Sequence, residues 1–425
     1  MTSRFLTACL VLSLSIAHLL PGRFGLAQDW PQWRGRDRDG AVHGVSAPKH
    51  WPESLTEEWQ VPVGRGVASP VVVGGKIIIF ARADDDEFVL CLDLADGREI
   101  WRSEKYAAPY PQLGPGEDQN TADQRPRSTP AVAKGRIYTL GMSGVVSCLD
   151  GATGRRLWRT EYPSLPYGGA SPLVTDGLCI VHVGDGKIGG LTALDARTGD
   201  MKWCCADSGI PPSGSPIVVD LAGQRQVVTL TGTGLVGVAV ATGKKLWETP
   251  SGAGSNTPVL YRDLLIFAAG NQIEPLRAVR VEKGEKGLVA KEVWTAAGHP
   301  LYYSSQVVAD DLVFGMSVSK SGHLFCLNAA TGETFWEGPA RLGLPERREA
   351  SASLVRAGNV LLILTDGGRL LVVKLTSTRY EPIAEYRVSD NQTWAHPVFL
   401  GNRLLVRDRT MLRSFRIEQP ALRGQ

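Results

Sequence analysis

Few residues of this sequence have the types and spacing that catalysis requires. Cys204 and Cys205 are adjacent, so they either form a strained vicinal disulfide or remain two unreactive thiols, and we expect thiols. The 7 histidines are widely spaced, which argues against a metal site. The glycine-rich stretch 184–190 has the composition of a phosphate loop, but no helical pattern follows it. We therefore predict no catalytic residues and no metal ligands.

Residues suited to binding a ligand are dispersed along the chain, and each lies just before or at the start of a short apolar strand pattern. Arginines, aromatics and a carboxylate in one place suit a small molecule or a peptide. The candidates are Arg65, Arg127, Tyr167, Asn256, Tyr302, Tyr303, Glu349, Trp394 and His396. They can be neighbours only if the fold closes into a ring, and a solvated polar channel without a ligand is the alternative.

A recurring hairpin in the sequence indicates a repeat fold that can close into such a ring. In residues 145–158 an alternating strand leads into Asp-Gly-Ala-Thr-Gly, a turn whose last glycine can adopt positive φ, and a second strand follows that ends on Trp158. Further copies occupy 91–101, 193–203, 326–336 and, more loosely, 238–247. Cys91, Cys148 and Cys326 share one repeat position with an alanine, which indicates a small buried site and no disulfide.

Two more strand patterns precede each hairpin, so each unit has four strands. The terminal tryptophans recur about every 47 residues, which is typical of propeller blades, and no stretch has a helical period. The last unit, 395–417, lacks a fourth strand, whereas 55–61 is a tryptophan-containing fourth strand without a hairpin. Pairing the two closes the ring and hides both edges.

The predicted fold is therefore an all-β, eight-bladed β-propeller of four-stranded antiparallel blades, in which an N-terminal strand completes the C-terminal blade. The predicted segments are a signal peptide (1–27), an N-terminal extension (28–54), the propeller (55–417) and a C-terminal tail (418–425).

The composition and the N-terminus limit the partners and the location. A net charge of +3 in 425 residues is not the charge distribution of a nucleic-acid-binding protein. An apolar run over 5–20 ends at Pro21 and Gly22 and is followed by small residues up to Ala27, which is the pattern of a secretory signal; a membrane anchor would need a longer run. We expect an exported protein, periplasmic or extracellular, with no transmembrane anchor, and a monomer.

These residues resemble a known family. The hairpin repeats are similar to the pyrroloquinoline-quinone-like (PQQ-like) propeller repeat, and 29–35 with Asp39 and Gly40 resembles the opening of secreted members. The resemblance implies the propeller fold but not one activity. The repeat is shared by quinoprotein alcohol dehydrogenases, which use PQQ and calcium, and by the propeller lipoprotein of the outer-membrane β-barrel assembly machinery, which has no cofactor and binds partners.

The same resemblance allows the two functions to be compared. A dehydrogenase would need a quinone pocket, a calcium site of carboxylate and amide oxygens, and a catalytic carboxylate. Its vicinal cysteines would contact the cofactor, but Cys204 and Cys205 follow Trp203 on an outermost strand, and no haem motif is present. We expect a binding or scaffold module for a protein, peptide or small ligand at the channel mouth, without a cofactor. The alternatives are a PQQ- and calcium-dependent dehydrogenase and an accessory protein in carbohydrate or sulfate-ester degradation.

Overall fold

The computed structural model describes residues 29–107, 126–162, 169–184, 189–205, 214–252, 254–268, 274–344 and 350–418. The signal peptide predicted at 1–27, the site candidates Tyr167 and Glu349, and most of the glycine-rich stretch lie outside these ranges. Within them the only helical element is a short 3₁₀ helix, Ser319–Ser321. None of the helices in this described part is long and apolar enough to span a membrane.

In the described residues eight sheets form the molecule, one for each blade, and the four strands of every blade are antiparallel, as the repeat predicted. The first strand of the repeat is the innermost of the four and the fourth strand is the outermost; the fourth strand contains a tryptophan in every blade except blade 7, where Tyr386 replaces it. Blade 1 comprises β3 (Val71–Val73), β4 (Lys76–Ala83), β5 (Asp86–Asp93) and β6 (Glu99–Arg102), with β7 (Tyr106–Ala107) pairing β5. Blade 2 comprises β8 (Ala131–Ala133), β9 (Arg136–Leu140), β10 (Val145–Asp150) and β11 (Arg156–Glu161). Blade 3 comprises β12 (Leu173–Thr175), β13 (Leu178–Gly184), β14 (Gly189–Asp195) and β15 (Met201–Cys205). Blade 4 comprises β16 (Ile217–Leu221), β17 (Gln224–Leu230), β18 (Gly234–Ala239) and β19 (Lys245–Pro250).

The second half of the ring repeats this order. Blade 5 comprises β20 (Val259–Tyr261), β21 (Leu264–Ala268), β22 (Leu276–Gly284) and β23 (Gly287–Ala296). Blade 6 comprises β24 (Val307–Ala309), β25 (Leu312–Ser317), β26 (His323–Asn328) and β27 (Thr334–Glu337). Blade 7 comprises β28 (Ala352–Ala357), β29 (Val360–Thr365), β30 (Arg369–Lys374) and β31 (Pro382–Arg387). Blade 8 comprises β32 (Val398–Phe399), β33 (Arg403–Arg407), β34 (Met411–Arg416) and the N-terminal strand β2 (Thr56–Pro62).

The predicted closure of the ring is confirmed. β2 pairs antiparallel with β34, with Thr56 opposite Arg416 and Pro62 opposite Met411. The carboxylate of Glu58 on β2 forms ion pairs with Arg403 of β33 and Arg416 of β34. The first and last parts of the propeller are therefore held together by a backbone ladder and by charge.

The tryptophan that ends a blade packs against the next blade, which explains the repeat. The Trp203 indole Nε1 donates to Val240 O at 2.9 Å in the following blade, and a Cβ on Gly243 would lie 2.6 Å from the Trp203 ring. Gly243 also has a φ of 72°, so both the turn and the indole require glycine there. The equivalent bonds join Trp59 to Ala95, Trp158 to Ala196, Trp294 to Ala329 and Trp336 to Thr376.

The repeated cysteines lie in the core, as predicted. Cys91, Cys148 and Cys326 are fully buried, and burial raises their thiol pKa values to about 11, 11 and 12. Such thiols are inert apolar side chains at neutral pH.

Candidate functional site

The N-terminal extension lies on the propeller axis. Its first part pairs with blade 1, where Trp30 N donates to Val72 O at 2.7 Å, and with blade 2, where Val132 N donates to Pro31 O at 2.8 Å. Its last part is a short strand, β1 (Ala41–Val42), which pairs parallel with the innermost strand β28 of blade 7. We refer to residues 29–42 as the axial plug.

Two side chains of the axial plug reach the residues that begin the innermost strands. Trp33 Nε1 donates to Thr257 Oγ1 of blade 5 at 2.8 Å, and the Trp33 ring meets His396 of blade 8 edge to face at 4.6 Å. The Arg34 guanidinium donates to Gln306 O of blade 6 at 2.6 Å.

Arg38 crosses to blades 3 and 4. Its guanidinium donates to Pro216 O at 2.7 Å and to Ser171 O at 3.3 Å, contacts Pro172 O, and through Nε donates to Gln32 Oε1 at 3.0 Å. With the contacts described above, this 14-residue segment, 29–42, touches all eight blades. The axis is therefore closed by the chain itself.

The plug places two buried arginines on the axis. Arg34 and Arg38 are 0% and 2% exposed. Burial lowers the pKa of Arg34 to about 10, against the attraction of Asp39, and lowers that of Arg38 to about 9. Burial and, secondly, the charge of Arg34 hold the pKa of His396 well below its usual range. His396 is therefore a neutral imidazole at neutral pH, and the nearby cation that acts on it is Arg34, whose guanidinium is bonded to carbonyl oxygens.

Hydroxyl groups bind neighbouring blades together around the plug. At the start of an innermost strand, a Ser or Thr side-chain oxygen accepts the backbone N–H of the preceding blade at 2.9 Å. The donor and acceptor pairs are Ser69 to Thr129, Thr129 to Ser171, Ser171 to Ser215, Thr257 to Ser305 and His396 to Ser69. The serine or threonine before the repeated proline is thus an inter-blade contact, which fixes the width of the axis.

Some of the sequence-predicted site residues contribute to internal packing. His396 and Asn256 are buried. Asn256 Oδ1 accepts from Ala268 N of its own blade at 3.2 Å, and His396 packs on Trp33. These two residues are therefore buried, and the partly exposed Trp33 ring lies against His396.

The other described candidates lie nearer the surface. Tyr302 and Tyr303 contact each other, with ring centroids 3.9 Å apart and the Tyr303 hydroxyl donating to Tyr302 at 3.1 Å, and Tyr303 is 47% exposed. Arg65 is exposed and its backbone pairs with Arg82. Arg127 and Trp394 are half-buried. The structure therefore brings together the tyrosine pair, and His396 with the plug, while the ligand site itself remains a prediction.

Sequence reasoning missed Trp33, Arg34 and Arg38 as axial residues, because the extension has no blade pattern. A signal was nevertheless present: residues 30–38 contain two tryptophans and three arginines. Large side chains concentrated in a glycine-containing stretch that matches no strand are typical of a segment that is buried by other parts of the fold.

The adjacent cysteines, which the resemblance to dehydrogenases would place against a cofactor, lie at the outer edge of a blade. Cys204 and Cys205 lie on β15, the outermost strand of blade 3, and are separate thiols, with Cys204 exposed. Thr192 donates to Cys204 Sγ at 3.4 Å. The amide of Asn256 is bonded within its blade. The described side chains around the axis include the cations Arg34 and Arg38, and beside Arg34 the carboxylate of Asp39 and the buried amide oxygen of Gln306.

Comparison with known proteins finds members of the same two groups that the repeats resemble. BamB, an outer membrane protein assembly factor of Burkholderia pseudomallei, is 27% identical over 201 residues, which is 46% of each chain. Quinohemoprotein alcohol dehydrogenase ADH-IIG of Pseudomonas putida is 30% identical over 172 residues, 38% of this chain and 23% of that enzyme. The matches thus span less than half the length of either relative.

Solved structures share the fold at low identity. BamB of Moraxella catarrhalis superposes with a TM-score of 0.64 at 17% identity, covering 86% of this chain and 99% of that one. The quinohemoprotein alcohol dehydrogenase of Comamonas testosteroni gives 0.65 at 15% identity, covering 94% and 82%. The family model described as outer membrane protein assembly factor BamB matches residues 85–338, more than half of the sequence. The chain therefore belongs to the BamB-like family of PQQ-type β-propellers.

Proposed function

We propose that this protein is an exported binding or scaffold module, which holds a protein or peptide partner at the face around the propeller axis and does not catalyse a reaction. The observation that carries the proposal is the axial plug. A segment bonded to all eight blades fills the place where a cofactor would be central to the fold. We therefore infer that the protein acts through the surface around the axis.

The chemistry of that face suits an acidic partner. The exposed tyrosine ring of Tyr303 and the guanidinium of Arg65 are side chains that often dominate the energy of protein interfaces. The buried charges of Arg34 and Arg38 are bonded mainly to carbonyl oxygens, with Asp39 as a carboxylate that attracts Arg34. The remaining positive potential would attract carboxylates of a partner. A small anionic ligand would be attracted by the same charges.

The expected location is the cell envelope. The N-terminal sequence has the pattern of a secretory signal, and a relative is named as an outer membrane protein assembly factor. We therefore propose that the partner is another envelope protein.

Site-specific photocrosslinking in intact cells tests this proposal. Tyr303 is replaced by benzoylphenylalanine, and Met201 is replaced in the same way as the control. Met201 is 61% exposed, but it follows a turn between the third and fourth strands, on the opposite face of the ring from Tyr303. We expect one discrete crosslinked protein from position 303 and none from position 201. Equal crosslinking from both positions would contradict a partner on the axial face.

The second candidate is the PQQ- and calcium-dependent alcohol dehydrogenase, which the 30% identity to a quinohemoprotein enzyme favours. It requires a bound quinone, whose chromophore is measurable in the purified protein.

A further inference from the structure

Three side chains with metal-binding atoms converge at the junction of blades 5 and 6, away from the axis. His299 lies in the connection that follows β23, His323 is the first residue of β26, and Glu337 is the last residue of β27. One ligand atom of each lies within 4.8 Å of the others. His299 and His323 are 2% and 0% exposed, whereas Glu337 is at the surface.

The hydrogen bond of His323 determines where its lone pair points. His323 Nδ1 is 3.1 Å from Ser319 O. A carbonyl oxygen can only accept, so Nδ1 carries the proton and the lone pair of the neutral ring is on Nε2. Nε2 is buried without a hydrogen-bond partner and lies 3.9 Å from Glu337 Oε1. Two electron-pair donors thus face each other at a separation too long for a hydrogen bond.

His299 is arranged in the same way. Its Nε2 is 2.9 Å from Thr334 Oγ1, and its Nδ1 is buried without a hydrogen-bond partner. The ring stacks on Phe325 with centroids 4.6 Å apart. Burial, followed by the charge of His323, lowers the pKa of His299. The Thr334 hydroxyl can either donate or accept. In the tautomer in which His299 Nε2 donates to Thr334, the neutral ring presents the Nδ1 lone pair to the cluster.

We propose that His299 Nδ1, His323 Nε2 and Glu337 Oε1 form a binding site for a divalent transition metal, represented here by Zn²⁺. Two imidazoles and a carboxylate are ligands that Zn²⁺ accepts, with bonds of about 2.0–2.2 Å. The contacts of Ser319 and Thr334 orient the two imidazoles, as outer partners do in known metal sites. A cation removes the cost of leaving two buried nitrogen atoms unpaired.

The side chain best able to adjust on binding is Glu337. Ligand atoms of a tetrahedral zinc ion lie about 3.3–3.5 Å apart, given bond lengths of about 2.0–2.2 Å, so the cluster must contract from its present spacing. Glu337 is at the surface, and its Oε2 contacts Lys320, which leaves Oε1 available. Three protein ligands leave a fourth position for water. Because His299 follows blade 5 whereas the other two ligands belong to blade 6, the metal would also link the two blades.

Zinc titration of the tag-free full-length protein, stripped with a chelator, tests the site. Affinity is measured by competition with a chromophoric chelator, and Co²⁺ is added separately, because its visible absorption reports tetrahedral coordination. We expect one zinc ion per chain. His323→Gln and Glu337→Gln should weaken binding by about 100-fold or more, and Thr334→Val by about 10–100-fold, the range for outer partners of metal ligands.

Two histidine variants are matched controls. His182 is also buried and also contacts a threonine through Nε2, at 2.9 Å from Thr229 Oγ1, but it belongs to no described ligand group. His43 lies in an exposed group with Asp37 and Asp39. His182→Gln and His43→Gln should bind zinc as the parent does.

Two results would overturn the proposal. The first is that the parent protein binds no zinc. The second is that His43→Gln loses zinc binding whereas Glu337→Gln keeps it. If His323→Gln does not fold, Glu337→Gln decides the question, since Glu337 is at the surface and its substitution leaves no buried group unpaired.

Discussion

Arg38→Met is the sharpest test of whether the axial plug holds the ring together. Methionine keeps much of the length of the side chain but removes four contacts, to Gln32, Ser171, Pro172 and Pro216. Hydrogen bonds from a charged donor contribute about 1.5–3 kcal/mol each. The four together give roughly 6–12 kcal/mol, and the cost of burying the guanidinium, several kcal/mol, offsets about half of it. We expect Arg38→Met to lower the free energy of unfolding by about 3–6 kcal/mol.

The assay is urea denaturation, with hydrogen exchange of residues 29–42 measured by mass spectrometry. Arg36→Met is the matched control, because Arg36 lies in the same segment and is exposed; it should change stability by less than about 0.5 kcal/mol. Exchange in the plug should rise for Arg38→Met only. Equal stability of the two variants would refute the reasoning that the plug joins the blades.

Three further predictions concern the ring and its cysteines. Deleting residues 28–61 removes the strand that completes blade 8, so the protein should aggregate or lose its cooperative unfolding, and an unchanged melting curve would contradict the closure. Trp247→Ala should cost about 3–5 kcal/mol through lost burial, because Trp247 is buried and bonded to Gln226, whereas Trp33→Ala should cost less since Trp33 is partly exposed; calorimetry compares them. Alkylation without reductant, followed by mass spectrometry, should label both Cys204 and Cys205, and a native disulfide between them would favour the dehydrogenase.

The fold was predictable because its information is local and repeated. Each copy of the hairpin turn contains residues that favour the same backbone conformation. The strand that contains Trp59 has no hairpin before it in the sequence, and this indicated how the ring closes. The inter-blade role of Trp203 also follows from the repeat, since a large side chain at a fixed position needs a fixed partner. Repetition lets one unit be checked against the next.

The axial plug was not predictable, because its contacts connect residues far apart in sequence. Arg34 bonds a carbonyl 272 positions away and Arg38 one 178 positions away, and a buried arginine bonded to carbonyl oxygens has no sequence pattern. The histidine cluster is similar: His299, His323 and Glu337 belong to different strands and connections, and only the packing of blade 5 on blade 6 makes them neighbours. Residues chosen for the channel mouth from strand starts alone were therefore divided between the interior, as with His396, and the surface, as with Tyr303.

The central claim is that this propeller is a binding module, closed on its axis by its own N-terminal segment. The most direct measurement is the quinone content of the natively purified protein, before and after incubation with excess PQQ and Ca²⁺, by absorbance and intact mass once free ligand has been removed. The account predicts no retained quinone under either condition. One quinone per chain, with alcohol-dependent reduction of a dye, would contradict it.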